Sequence, residues 1–154
     1  MYAKVLALHS FTRWLVVASL LIAMFLAYRG WLRRKSFTKF DNRIRHITAT
    51  IAHIQLFLGV WLYFISPLIS YFLHNYKIAV KERSIRFFGM EHSAMMLVAI
   101  VMITIGSASA KRKTTSEQKF KTMAIWFTIA FLLILINIPW KFSPMASRPY
   151  LRFF

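Results

Sequence analysis

The chain has 154 residues, 58% of them hydrophobic, with a mean hydropathy of +0.54 and a formal charge of +17. Apolar residues in long unbroken runs exclude an ordinary soluble domain. The absence of cysteine excludes disulfides, thiolate metal sites, iron–sulfur clusters and covalent c-type haem attachment, leaving His, Met, Glu and backbone as ligands. Most Lys and Arg residues flank the apolar runs, so the charge is read as topology and anionic-lipid contact rather than nucleic-acid binding.

The first run covers residues 5–28 and is broken only by His9, Ser10, Thr12, Arg13 and Ser19. It is longer than a signal-peptide core and ends on Tyr28-Arg29-Gly30-Trp31, not on a small-residue cleavage site, so it is read as a retained helix. A basic loop follows, in which Asp41 or Asn42 is the expected cap of the second helix. The second run, 47–65, carries His53 and Gln55, offers Gly59 as a close-approach point and stops at Ser66-Pro67. The connection 66–86 is apolar and aromatic but too short to span, and predicts an interfacial helix over the mouth of the bundle. The third run, 87–106, opens with Glu91-His92. A polar loop with Lys111-Arg112-Lys113 leads to the fourth run, 120–138, with Ser116 as its expected cap. The basic, aromatic tail 141–154 is expected at the interface.

The fold expected is thus an all-α membrane protein: one domain over residues 1–154, four spans in an up-and-down bundle. Lys and Arg are more frequent in the first-to-second and third-to-fourth loops than on the other side. The expectation is a bacterial inner membrane with those loops in the cytoplasm and both termini outside, in the periplasm.

Ionisable side chains inside apolar spans are costly and need a reason. Counted from each run's midpoint, His9 lies about 11 Å and Arg13 about 5 Å toward the outer face, while Glu91 and His92 lie about 8 Å and 7 Å toward it. His53 lies about 4–5 Å on the inner side. His9 and Arg13, four residues apart, share a helix face. Spans one and three are diagonal in such a bundle, roughly 12–14 Å apart. An Arg13–Glu91 ion pair bridges that gap, and two imidazoles facing across it leave room for a flat cofactor such as haem. The competing readings are structural: His9 at the interface, His92 a core histidine bonded to Gln55 or a backbone carbonyl, His53 a polar link between helices. Met95 and Met96 follow His92 at helical spacing and are read as packing before copper(I) or haem ligation.

At these residues the sequence resembles a family of short bacterial four-span membrane proteins loosely labelled cytochrome b-like. The motifs are Leu8-His9-Ser10 with Arg13-Trp14, Phe37-Thr38-Lys39 with Asp41-Asn42, His53 with Gln55 and Gly59, Tyr63-Phe64 with Ser66-Pro67, and Glu91-His92 with Met95-Met96. The resemblance covers nearly all four spans and implies haem b. The architecture is also similar to one four-helix half of haem A synthase. Here, however, Glu91 directly precedes His92, and the fourth span has no histidine.

The function expected first is a b-type haem protein carrying electrons to or from quinol or a partner redox protein. His9 and His92 are the expected axial ligands and His53 the reserve ligand. Arg13 is assigned to a haem propionate or to Glu91, and Glu91 to orienting His92 or taking a proton from quinol. A haem-free accessory subunit of a larger membrane complex, or a homodimer, is the second reading. A small metal-handling transporter is the third.

Overall fold

The computed structural model describes residues 1–140, Phe142 and Ala146. Among them the chain is helical throughout, with no strand: α1 (Tyr2–Leu32), α2 (Lys39–Ile65), three short helices α3 (Pro67–His74), α4 (Tyr76–Ala79) and α5 (Arg83–Arg86), a π-turn (Phe87–Glu91), α6 (His92–Arg112) and α7 (Ser116–Asn137). Four stretches are long and apolar enough to cross a bilayer, the make-up of a multi-pass membrane protein: α1, α2, α7 and the continuous stretch Arg83–Arg112. Each helix outruns its apolar stretch because polar residues extend it into the loops. The tail expected at the interface lies, but for Phe142 and Ala146, outside the described residues.

Two caps differ from expectation by one to four residues. Thr38, not Asp41 or Asn42, caps α2: its hydroxyl accepts from the Asp41 N–H, and Asp41 reaches back to the Thr38 N–H at 2.9 Å. Asp41 is therefore the third-position half of a capping box. Thr115, not Ser116, caps α7 by accepting from the Gln118 N–H. The Ser116 hydroxyl instead accepts from the Phe37 N–H at 2.9 Å, tying the two loops of that end together.

The helices form a ring in chain order. α1 packs on α2 and α7, and α6 packs on α2 and α7, so α1 and α6 are diagonal. Neighbours run antiparallel: Gln55 near the end of α2 meets His9 near the start of α1, and His92 at the start of α6 meets Asn137 at the end of α7. Lipid tails are as apolar as leucine, so helices associate here through close packing of small residues. Ala23, Ala27, Ala52, Ala99, Ala110, Ala124 and Ala130 are fully buried in one core around Leu20, Ile103 and Phe127. The large side chains Phe25, Phe64 and Ile136 point outward, as suits a hydrocarbon surround. A separate apolar cluster, Val5 with Leu58 and Leu62, closes the α1–α2 seam at the end that holds the start of α1.

Arg45, which sequence reading leaves among the basic loop residues, is buried. Its Nη1 donates to the Ser107 carbonyl at 2.9 Å and the Ser107 hydroxyl at 2.5 Å. Its Nε and Nη2 donate to Asn42 Oδ1. It clamps the start of α2 to the end of α6. Replacing Arg45 by Met keeps the bulk and removes these bonds. We expect it to cost about 2–3 kcal/mol, the usual worth of charge-assisted bonds, read as a lower unfolding midpoint in micelles.

Candidate functional site

The polar groups collect between the two apolar clusters, at the end of the bundle that holds the start of α1. Gln55 on α2 is spent entirely on α1. Its amide nitrogen donates to the His9 carbonyl at 3.0 Å and lies 3.2 Å from His9 Nε2. Its amide oxygen accepts from the Thr12 hydroxyl. An amide nitrogen only donates, so His9 Nε2 is an acceptor and the ring proton sits on Nδ1. That Nδ1 is buried and has no hydrogen-bond partner among the described residues. The ring's other edge rests on Gly59: a Cβ built there would lie 3.3 Å from His9 Cε1. The close contact expected at Gly59 is therefore with the histidine.

His92 follows the π-turn, and its own N–H bonds back to the Phe87 carbonyl, five residues earlier. The widened turn leaves the Gly89 carbonyl to accept from the Tyr63 hydroxyl of α2 at 3.0 Å. Turns of this kind recur where a helix must aim a functional side chain. His92 Nδ1 lies 2.9 Å from the Asn137 carbonyl. A carbonyl only accepts, so the proton sits on Nδ1 and Nε2 keeps its lone pair. Asn137 ends α7, where carbonyls lack partners within the helix. His92 fills one such vacancy, and Trp140 Nε1 fills another by donating to the Leu135 carbonyl at 2.8 Å. Phe87 and Phe88 flank the imidazole at 5.5 and 5.9 Å between ring centres.

The structure brings three of the five expected residues together. His92 and the Arg13 guanidinium lie within electrostatic reach of His9, and Arg13 lies within reach of His92. Arg13 also donates to the Ser10 hydroxyl at 3.3 Å and lies over the Trp14 ring at 5.3 Å. Trp14 meets Trp140 edge-on, with ring centres 6.1 Å apart.

The expected Arg13–Glu91 pair is a correction. Glu91 bonds to Arg86 Nε at 2.7 Å, five residues back across the π-turn. A local partner costs less side-chain ordering than a reach across the bundle, and the extra residue of the π-turn brings Arg86 and Glu91 into register. Glu91 also does not orient His92 through Nδ1, because Asn137 holds that nitrogen. His53 stands apart, exposed on the outside of α2, with Nε2 bonded to Thr104 Oγ1 of α6 at 3.0 Å. Its expected link between helices is present. It does not enter the His9–His92 group. Among the described residues no three His or acidic side chains gather to hold a metal ion.

Sequence reading offered a backbone carbonyl or Gln55 as the partner of a core His92; the carbonyl is that of Asn137, Gln55 holds His9 instead, and Thr12 was missed. Gln55 carried a signal, being polar and mid-span. Asn137 acts through its backbone carbonyl, which no side-chain pattern announces. A scan against protein-family models, a search of curated proteins and a search of solved structures each returned no match.

Proposed function

We propose that the chain is a b-type haem protein of a bacterial inner membrane, its termini on the periplasmic side, that carries electrons. The observation that carries this reading is the His92 imidazole. Its Nδ1–H is anchored on the Asn137 carbonyl and its Nε2 lone pair is left available. A ligating histidine is ordinarily held in this way by its second nitrogen. The choice of haem b rests on the resemblance of the surrounding motifs; the charge around the site supports it, since Arg13 suits a propionate.

The donors fit unequally. His92 is ready as it stands. His9 has Nε2 engaged by Gln55 and offers an N–H at Nδ1, so it binds iron only if Gln55 lets go or the ring proton moves. We assign His92 as the primary ligand and His9 as the facing residue. Haem, when bound, supplies one-electron chemistry. The residues around it orient the imidazoles, place a positive charge beside them and flank His92 with Phe87 and Phe88. His53 is no longer the reserve ligand in this reading.

The test is the absorbance spectrum of protein purified from haem-replete cells. A reduced-minus-oxidised difference with b-type Soret and alpha bands is the expected result. A colourless protein that co-purifies with other membrane subunits would sink the proposal in favour of a haem-free accessory role.

A further inference from the structure

Midway along the bundle, on its outer surface and away from His9 and His92, one imidazole faces lipid. His53 and Thr104 are both exposed, with His53 Nε2 3.0 Å from Thr104 Oγ1. The Thr104 hydroxyl has one hydrogen, and it goes to the Ile100 carbonyl at 2.8 Å. Thr104 Oγ1 therefore accepts from His53: the ring proton is on Nε2, and Nδ1 holds a lone pair. On the same face Thr50 spends its hydrogen on the His46 carbonyl at 3.0 Å. Phe57, one turn from His53 and 65% exposed, stands edge-on to Trp61 with ring centres 5.9 Å apart. The patch is a basic acceptor beside an aromatic wall, and its hydroxyls have no proton to offer.

Polar groups at this depth are costly in hydrocarbon, so something of matching chemistry is needed to cover them. His53 stands six residues into the apolar run that begins at Ile47, about 9 Å inside it. Phospholipid headgroups stay outside the hydrocarbon layer of about 30 Å and do not reach it. A second copy of the chain presents the same acceptor surface, so a two-fold pairing on this patch would set acceptor against acceptor. A molecule dissolved in the hydrocarbon, flat and carrying a hydroxyl donor, fits both the depth and the polarity.

We infer that His53, Thr104 and Phe57 form a lipid-facing binding site for a membrane quinol, whose hydroxyl donates to His53 Nδ1. The oxidised quinone has carbonyl acceptors only. Against His53 Nδ1 it leaves two acceptors facing each other without a proton, so the site selects the reduced form. This site is separate from the His9–His92 group, and binding to it is measurable with or without haem.

The test is an anaerobic titration of the purified full chain, in phosphatidylcholine nanodiscs, with decyl-ubiquinol and with decyl-ubiquinone, followed by quenching of tryptophan emission. The quinol is expected to bind at least about tenfold more tightly than the quinone, the worth of one satisfied hydrogen bond. His53→Phe is expected to weaken quinol binding by about tenfold with only a small fall in melting temperature, because it gives up one hydrogen bond to Thr104, worth about 1 kcal/mol, and places an apolar ring against lipid. Thr104→Val frees the Nε2 proton to meet a ligand and is expected to narrow the preference for the quinol. Equal binding of the two forms, or His53→Phe binding quinol like the wild type, overturns the inference. So does a wild-type dimer that His53→Phe converts to monomer, since a second copy then covers the patch. A colourless protein that binds quinol through His53 leaves this inference standing and overturns only the haem assignment.

Discussion

His92→Ala is expected to yield a folded protein that purifies without haem, its Soret absorbance per chain reduced more than about tenfold. Loss of a primary ligand removes the bond that holds the iron. The structural cost should be small by comparison. The variant gives up one neutral hydrogen bond, worth about 1 kcal/mol, and the half-buried ring leaves space beside Phe87 and Phe88. His9→Ala is expected to behave differently, keeping most of the haem. His9 meets the site through a nitrogen that is not free to ligate while Gln55 holds the ring. Asn137→Ala separates side chain from backbone. The His92 anchor is the Asn137 carbonyl, which alanine retains, whereas the Asn137 side chain bonds only within its own helix, to the Leu133 carbonyl at 2.9 Å. Haem content should therefore survive Asn137→Ala. If His9→Ala and His92→Ala empty the site equally, the two imidazoles are symmetrical ligands and the tautomer argument is wrong.

The asymmetry between the histidines is also where sequence reading stopped. Depth counting placed His9, Arg13 and His92 in the outer half of their spans, because a helix rises by about 1.5 Å per residue. It did not find their partners. Glu91 looked like the mate of Arg13 because both are charged and both face outward in the count. The π-turn at Phe87–Glu91 gives Glu91 a neighbour on its own chain instead. No apolar pattern signals that extra residue in the turn, since the run stays apolar through it. The four spans were legible for the opposite reason: a bilayer of fixed thickness demands a fixed length of apolar helix. Caps shifted within the same few residues, because Thr38 and Asp41 belong to one motif in which either end reads as the start. The burial of Arg45 was hidden by its place in a basic loop.

Gly89 joins the π-turn to the rest of the end cap, and its substitution carries the second large effect. A Cβ on Gly89 would lie 2.5 Å from Cγ of Phe72, the buried anchor of α3. Phe72 is itself edge-on to Tyr76, with ring centres 5.5 Å apart, so it has little room to retreat. We expect Gly89→Val to push α3 off the π-turn at a cost of about 1–3 kcal/mol, the usual penalty for overpacking, or more. Thermal unfolding in micelles would show it as a lower midpoint. The displacement should not stop at α3. The Gly89 carbonyl is held by Tyr63, and the His92 N–H bonds to Phe87 across the same turn. Moving that turn re-aims the first residue of α6, so haem content should fall together with stability. Gly59→Ala is the control. Its Cβ would meet His9 Cε1 at 3.3 Å, a contact relieved by a few tenths of an ångström of ring movement, and the nearest atoms around it all belong to that one ring. Its midpoint and its haem content should both stay near those of the wild type. A Gly89→Val protein with normal haem content and a lowered midpoint would show that the π-turn braces the end cap without aiming His92.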